Sequence, residues 1–410
     1  MGLSDATVTE DAGRPPGDSG EIPQDDWEET TSLKEDDNDQ NFLFGHAVDI
    51  DGDRMLVGSI GHDEDGEFAG AAYVYLREGT QWTLEARLMP SDGEALKHFG
   101  VSVSLDGSYA LVGAEWDDEE GFEAGAAYIF ERVGSTWVER SKLVAETAGR
   151  QFYFGASVSL HGRFAAIGMP KEPSAGARGE VLLFEQRGEA WVEMAQLRAP
   201  VEGGSFGWRV SLQGNDLLVT SAVEDTEKGR AAGAVYYYSF DGTEWVLQQK
   251  LTASDGFAYA NFGSAVSMDG PVAVVGNSMS EGGGWAYIFT FQSDTWVEAA
   301  RLTPFDGSPG SPVGAGFGVD VAVSGDRVAV GSDCLAICPG AVYLFHRQDG
   351  SWREGGKVMA SDGTSSDHFG LAVDIDGETI GVGAPSAGEV DRDRGVARGA
   401  VYTFELQSNP

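Results

Sequence analysis

An all-β, seven-bladed β-propeller of four-stranded antiparallel blades is the fold this 410-residue sequence predicts. Three observations predict it. A Phe-Gly pair recurs at Phe44, Phe99, Phe154, Phe206, Phe262, Phe317 and Phe369, spaced by 52 to 56 residues. Repeats of that length are units of solenoids, propellers or arrays. Strand signals follow each pair in one fixed order, with no helical period between them. The seventh repeat lacks its fourth strand, and a matching strand stands ahead of the first.

Each element can be justified in turn. Eight residues after each Phe stands a Gly, namely Gly52, Gly107, Gly162, Gly214, Gly270, Gly325 and Gly377. The run between, such as HAVDI or VSVSL, reads as a first strand, and the Gly beside Asp or Asn reads as a tight hairpin. An apolar run follows (MLVG, ALVG, AAIG, LLVT, AVVG, VAVG, IGVG), as expected of a strand buried on both faces. A third strand opens on another Gly, as in GAAYVY at 70 and GAVYLF at 340. Twelve residues on, six repeats place a Trp (Trp82, Trp137, Trp191, Trp245, Trp296, Trp352), and six beyond it a Leu or Val. The alternation in W-T-L-E-A-R-L suits a half-exposed outer strand. Four such strands make a propeller blade.

The missing outer strand is found at residues 25–36. Trp27 precedes Phe44 by 17 residues, the interval from Trp82 to Phe99, and Leu33 lies six past Trp27. The segment is expected to complete the last blade, closing the ring and covering an edge that would otherwise invite pairing with other chains. A parallel β-helix is the alternative fold, but its coils are shorter. Residues 1–24 lack aromatics and periodicity and read as a disordered acidic tether or linker, leaving 25–407 as the propeller.

These residues resemble FG-GAP repeats, the blades of the integrin alpha-subunit propeller and of many microbial surface proteins, over roughly residues 25–407. The GAP element is complete at Gly383-Ala384-Pro385 and survives in part at Gly58-Ser59, Gly113-Ala114 and Gly168-Met169-Pro170. The resemblance implies an extracellular or cell-surface propeller used in adhesion or protein interaction. It also implies calcium loops of the form D-x-D-x-D-G-x-x-D, from which this chain departs. The nearest candidates are Asp49, Asp51 and Asp53, with Asp374 and Asp376, where the Gly comes too early. Calcium needs six to eight converging oxygens, so these positions read first as Asp-Gly turns and no cofactor is required.

Charge narrows the partners. There are 66 acidic and 27 basic residues, a net charge of −39. Nucleic acid and anionic membranes call for a basic surface, so neither is an expected partner. Seven of the 27 basic residues are Lys, leaving twenty Arg; high acid with scarce Lys fits a surface adapted to high salt, where charge is screened. No apolar stretch is long enough for a signal peptide or a membrane-spanning helix. Cys334 and Cys338 share one loop, GSDCLAICPG, and are expected to form a local disulfide.

Comparing the repeats with one another places the candidate site. The two hairpins keep constant lengths, while the connection from second to third strand and the one leading to the next Phe vary. Those two emerge on one end of an up-and-down ring, and such loops usually carry function. Candidate ligand-binding residues on that face are Phe68, Trp116, Phe122, Phe257 and Tyr259, with Asp63, Asp65, Asp117 and Asp118. Nearby, His46, Arg209 and Asp320 break the local pattern of the first strands.

No motif of nucleophilic or metallopeptidase catalysis is present. A non-enzymatic, monomeric propeller binding a protein or glycan partner at the cell surface is therefore expected. A lectin-like propeller is the alternative among binding proteins. A polysaccharide hydrolase with paired carboxylates at the channel mouth is the alternative among enzymes.

Overall fold

A computed structural model describes residues 25–34, 43–62, 68–93, 97–145, 151–171, 178–278, 283–306, 316–333, 339–388 and 397–407. Among them lie twenty-eight strands and no helix. They form seven separate four-stranded antiparallel sheets. Blade one shows the pattern: an inner strand Phe44–Asp51, then Arg54–Ser59, Ala71–Glu78 and an outer strand Gln81–Leu88. The propeller reading is correct in blade number, strand order and hairpin placement.

Burial explains the sequence period. The second strand and the first half of the third are buried throughout, because neighbouring blades cover both faces. The Phe of each pair is fully buried, and in six blades it meets a third-strand Tyr edge-on, as Phe99 meets Tyr128 at 5.4 Å between ring centres. Burying such a ring contributes about 1.5–3 kcal/mol. The core is thus a set of layers between blades: Leu56, Ala72 and Val74 of blade one pack with Phe99, Val112 and Tyr128 of blade two.

Glycines let the backbones meet at these layers. A Cβ on Gly58 would overlap the carbonyl oxygen of Gly100 in the next blade. Gly100 itself has φ +92° and lies against the carbonyl of Ala71, so only a residue without a side chain fits the joint. A short parallel bridge, such as Gly70 with Phe99, ties the third strand of one blade to the first strand of the next.

The ring closes as the sequence predicts. The strand Trp27–Leu33 pairs antiparallel with Ala400–Leu406, from Trp27 opposite Leu406 to Leu33 opposite Val401. It completes a sheet with Ala372–Asp376 and Thr379–Ala384. The connection ahead of this blade also clasps the strand: the Ser361 N–H and hydroxyl donate to Glu29 at 2.8 and 2.9 Å, and Lys34 pairs with Asp362 at 2.6 Å. The tether at 1–24 lies outside the described residues.

Candidate functional site

The two ends of the ring differ in kind. At the hairpin end, the residue before each hairpin glycine carries an acceptor that takes the N–H of the next blade's hairpin glycine. Asp51 accepts from Gly107 at 2.5 Å, His161 Nδ1 from Gly214 at 3.1 Å and Gln213 from Gly270 at 2.5 Å. Asp269 accepts from Gly325 at 2.7 Å, Ser324 from Gly377 at 3.1 Å and Asp376 from Gly52 at 2.8 Å. Asp106 does the same for Gly162. The result is a belt of seven bonds that crosses every blade junction.

That belt and the bonds beside it take up most of the calcium candidates. Asp51 and Asp376 are held by backbone N–H groups, Asp49 accepts from Leu105, and Asp374 accepts from Ile50 at 2.6 Å. Asp53 is exposed, 3.5 Å from the Arg77 guanidinium. Among the described residues no group of three or more His, Cys, Asp or Glu side chains is arranged to hold a metal ion. The donor set does not fit calcium, because the carboxylates of Asp49, Asp51, Asp374 and Asp376 are each taken up by a backbone N–H of the next blade rather than turned towards one point.

At the opposite end, many acidic residues are structural. Tyr128 donates to Asp92 at 3.0 Å and to Asp117 at 2.9 Å. Lys142 reaches the same two carboxylates at 2.6 and 3.0 Å, and Lys97 reaches both at 3.1 Å. The arrangement recurs as Tyr236–Glu224–Lys250, Tyr287–Asp255–Arg301, Tyr343–Asp306–Lys357 and Tyr402–Asp362–Lys34. Burial and the adjacent carboxylate push these phenols above their usual range, so they remain donors. Burial works against ionisation of Asp92, yet its Lys and Tyr partners win and hold it near 2.

Asp117, a surface candidate from the sequence, is therefore withdrawn from the face. It is 1% exposed, and its carboxylate neutralises Lys97 and Lys142. Asp118 next to it is exposed and shapes its own loop, accepting the Glu123 N–H at 2.6 Å. Asp63 and Asp65 lie outside the described residues, as do Cys334 and Cys338.

The aromatic candidates divide into packed and exposed. Trp116 stacks on His98, with ring centres 3.5 Å apart, and Phe68 packs against the same His at 6.2 Å. Phe257 meets Trp285 edge-on at 5.5 Å. Phe122 and Tyr259 stay open to solvent, at 47% and 57% exposure. The left-handed φ of Tyr259, +65°, holds it at the loop surface, with Arg230 6.0 Å above the ring.

Between these loops the inner strands open into the central channel. Trp208, 43% exposed, and Arg209 follow Phe206-Gly207 on blade four, His46 holds the position equivalent to Trp208 on blade one, and Asp320 that equivalent to Arg209 on blade six. His46 is held near 4, first by burial, with Arg209 and His98 lowering it further against the pull of Glu115. Asp320 is raised to about 6, first by burial, with the Val373 N–H and Arg209 opposing. Both side chains are half-buried among the inner strands that border the channel, so water solvates them only in part. At neutral pH His46 is uncharged and Arg209 is the cation of the channel mouth.

A family model for the FG-GAP repeat matches residues 27–75, 82–130, 191–238, 245–289, 296–345 and 352–404. The chain belongs to the FG-GAP repeat family. No curated protein matches it. Each matched FG-GAP stretch begins at or beside an outer-strand Trp and runs into the third strand of the following blade. The gap from 131 to 190 covers the third blade, which breaks the pattern. Leu182 stands there in place of the buried Tyr, and a Lys171–Glu180 pair at 2.7 Å, both side chains nearly buried, replaces the Tyr–carboxylate bond. Sequence reasoning over the FG-GAP frame missed the hairpin acceptors and the Tyr–carboxylate–Lys clusters. The first had a signal: Asp, Asp, His, Gln, Asp, Ser and Asp precede the seven hairpin glycines, and every one can accept a hydrogen bond.

Proposed function

We propose that this FG-GAP propeller is a non-enzymatic interaction protein of the cell surface or extracellular space. It binds a macromolecular partner, protein or glycan, through the face formed by the variable connections. One contrast carries the reading. The hairpin end is uniform and locked by its belt of bonds, whereas the other end varies in loop length and leaves Phe122 and Tyr259 open to solvent. Exposed aromatics on rigid, well-anchored loops make low-entropy contacts at interfaces.

The test is binding of the purified chain to surface extracts of its own host. Phe122→Ser with Tyr259→Ser is expected to weaken retention by about tenfold or more. Leu84→Ser, at an exposed position on the outer rim, leaves it unchanged. Equal retention of all three proteins overturns the assignment of this face.

A further inference from the structure

The channel mouth on the variable face holds a cation that no carboxylate contacts directly, although Asp320 lies near enough to feel its charge. Among the described residues Arg209 forms no ion pair, although acidic side chains outnumber basic ones 66 to 27. Its guanidinium donates only to the carbonyl of Trp208, at 3.1 Å, and lies 5.5 Å from the centre of the Trp208 ring. At the equivalent inner-strand position five blades carry Ala or Ser; Arg209 and Asp320 are the departures.

Arg209 is also positioned. Its backbone N–H donates to Thr220 Oγ1 at 3.0 Å, and Thr220 occupies the place that the other six blades give to the joint glycine. The Thr pushes the next blade away: from a Cβ on Gly263 the nearest atoms stand at 3.1 and 3.2 Å, where the other blades' equivalents collide with a carbonyl oxygen. Two departures in one blade, one holding the other, mark a built feature rather than drift at a single position.

We propose that this mouth binds an acidic sugar, a hexuronate unit of a polysaccharide. The planar guanidinium grips the carboxylate through paired N–H donors, which ammonium does not reproduce. The exposed indole of Trp208 offers an apolar plane for the sugar ring. Uncharged His46 and the carboxyl of Asp320 supply the acceptor and donor capacity that ring hydroxyls need. A peptide carboxylate shares the Arg contact but has no ring for the indole.

Titration calorimetry of the full chain with trigalacturonate tests this, against its methyl ester and against triglutamate. Trigalacturonate is expected to bind at least about tenfold more tightly than either comparator. Arg209→Gln and Trp208→Ala each lower that affinity by about tenfold, with melting temperatures unchanged. Trp208 is exposed, so its variant remains informative if Arg209→Gln folds poorly. Phe122→Ser with Tyr259→Ser leaves trigalacturonate binding intact, which separates this site from the loop tips. Absence of binding, equal affinity for the ester or triglutamate, or indifference to both channel variants overturns the proposal.

Discussion

Thr220 Oγ1 accepts the backbone N–H of Arg209 at 3.0 Å, at the one joint where the chain gives up its glycine. Everywhere else that position is pressed against the neighbouring blade. Gly58→Ala is expected to cost about 3 kcal/mol, the upper range for overpacking, because the clash is with backbone. Thr220→Gly is expected to cost about 1 kcal/mol, the worth of one hydrogen bond. Urea denaturation of both variants checks the contrast, and equal losses would refute this account of the joint.

Asp117→Ala should be severe. It leaves the ammonium of Lys97, 5% exposed, short of a partner and removes an acceptor from Tyr128. Breaking a buried pair of this kind costs about 3–5 kcal/mol. Asp118→Ala, one residue on, is expected to stay within about 1 kcal/mol. Thermal unfolding of the two single variants decides whether burial separates these adjacent acids.

Stability should peak in mildly acidic solution. Burial raises Asp49 well above the carboxylate range, with Asp374 and Asp51 adding repulsion against the Leu105 N–H. Burial raises Asp374 to about 6, with the Ile50 and Ile375 N–H groups and the bond to Asp49 opposing and Asp320 adding repulsion. Through Asp49, Asp374 and Asp320 the folded chain binds more protons than the unfolded chain between about pH 4 and 6, whereas His46, lowered to about 4, binds fewer. The three acids outweigh the one base, so stability falls as pH rises through that window. Glu85 has the opposite sign: burial opposes its charge, but Arg54, Trp137 and Arg132 hold it near 2. With Asp92 it makes stability fall as pH drops from about 4 towards 2. A melting-temperature series should therefore crest near pH 4 to 5, and Asp374→Asn should flatten its decline towards neutrality.

Deleting residues 25–36 should destabilise the whole ring. Phe404 and Tyr402, 2% and 1% exposed, lose the strand that covers them, and Ser361 and Asp362 lose Glu29 and Lys34. The melting temperature is expected to fall by on the order of 5 °C or more. A truncated chain that melts with the parent would count against closure by this strand.

Salt should stabilise the protein. Much of the net charge of −39 is solvated carboxylate, and the screening length shrinks from about 10 Å at 0.1 M to about 3 Å at 1 M. Melting temperature is expected to rise markedly between these concentrations. A flat response would mean that the internal Lys and Arg partners already balance the acids that matter.

The architecture was legible because glycine and phenylalanine do steric work at fixed intervals. Gly100 and Phe99 sit where no other residue fits, so the repeat records the backbone directly. Trp27 was legible by the same arithmetic. The site was less so. Asp117 and Asp118 are identical letters, and only the distant Lys97, Lys142 and Tyr128 make one internal and the other external. Trp116 and Phe257 read as surface aromatics because nothing local announces His98 or Trp285 against them. Arg209 and Asp320 stood out as breaks in a strict pattern, and Thr220 became meaningful once its hydroxyl was seen to meet Arg209.

The belt of hairpin bonds has a further consequence. Every blade passes its acceptor forward to its successor in the same sense, and Asp376 passes it to Gly52 as Asp51 does to Gly107. A bracelet of this kind has no privileged clasp. No junction leans on the belt more than another, and a cut in any variable connection would leave all seven of its bonds in place.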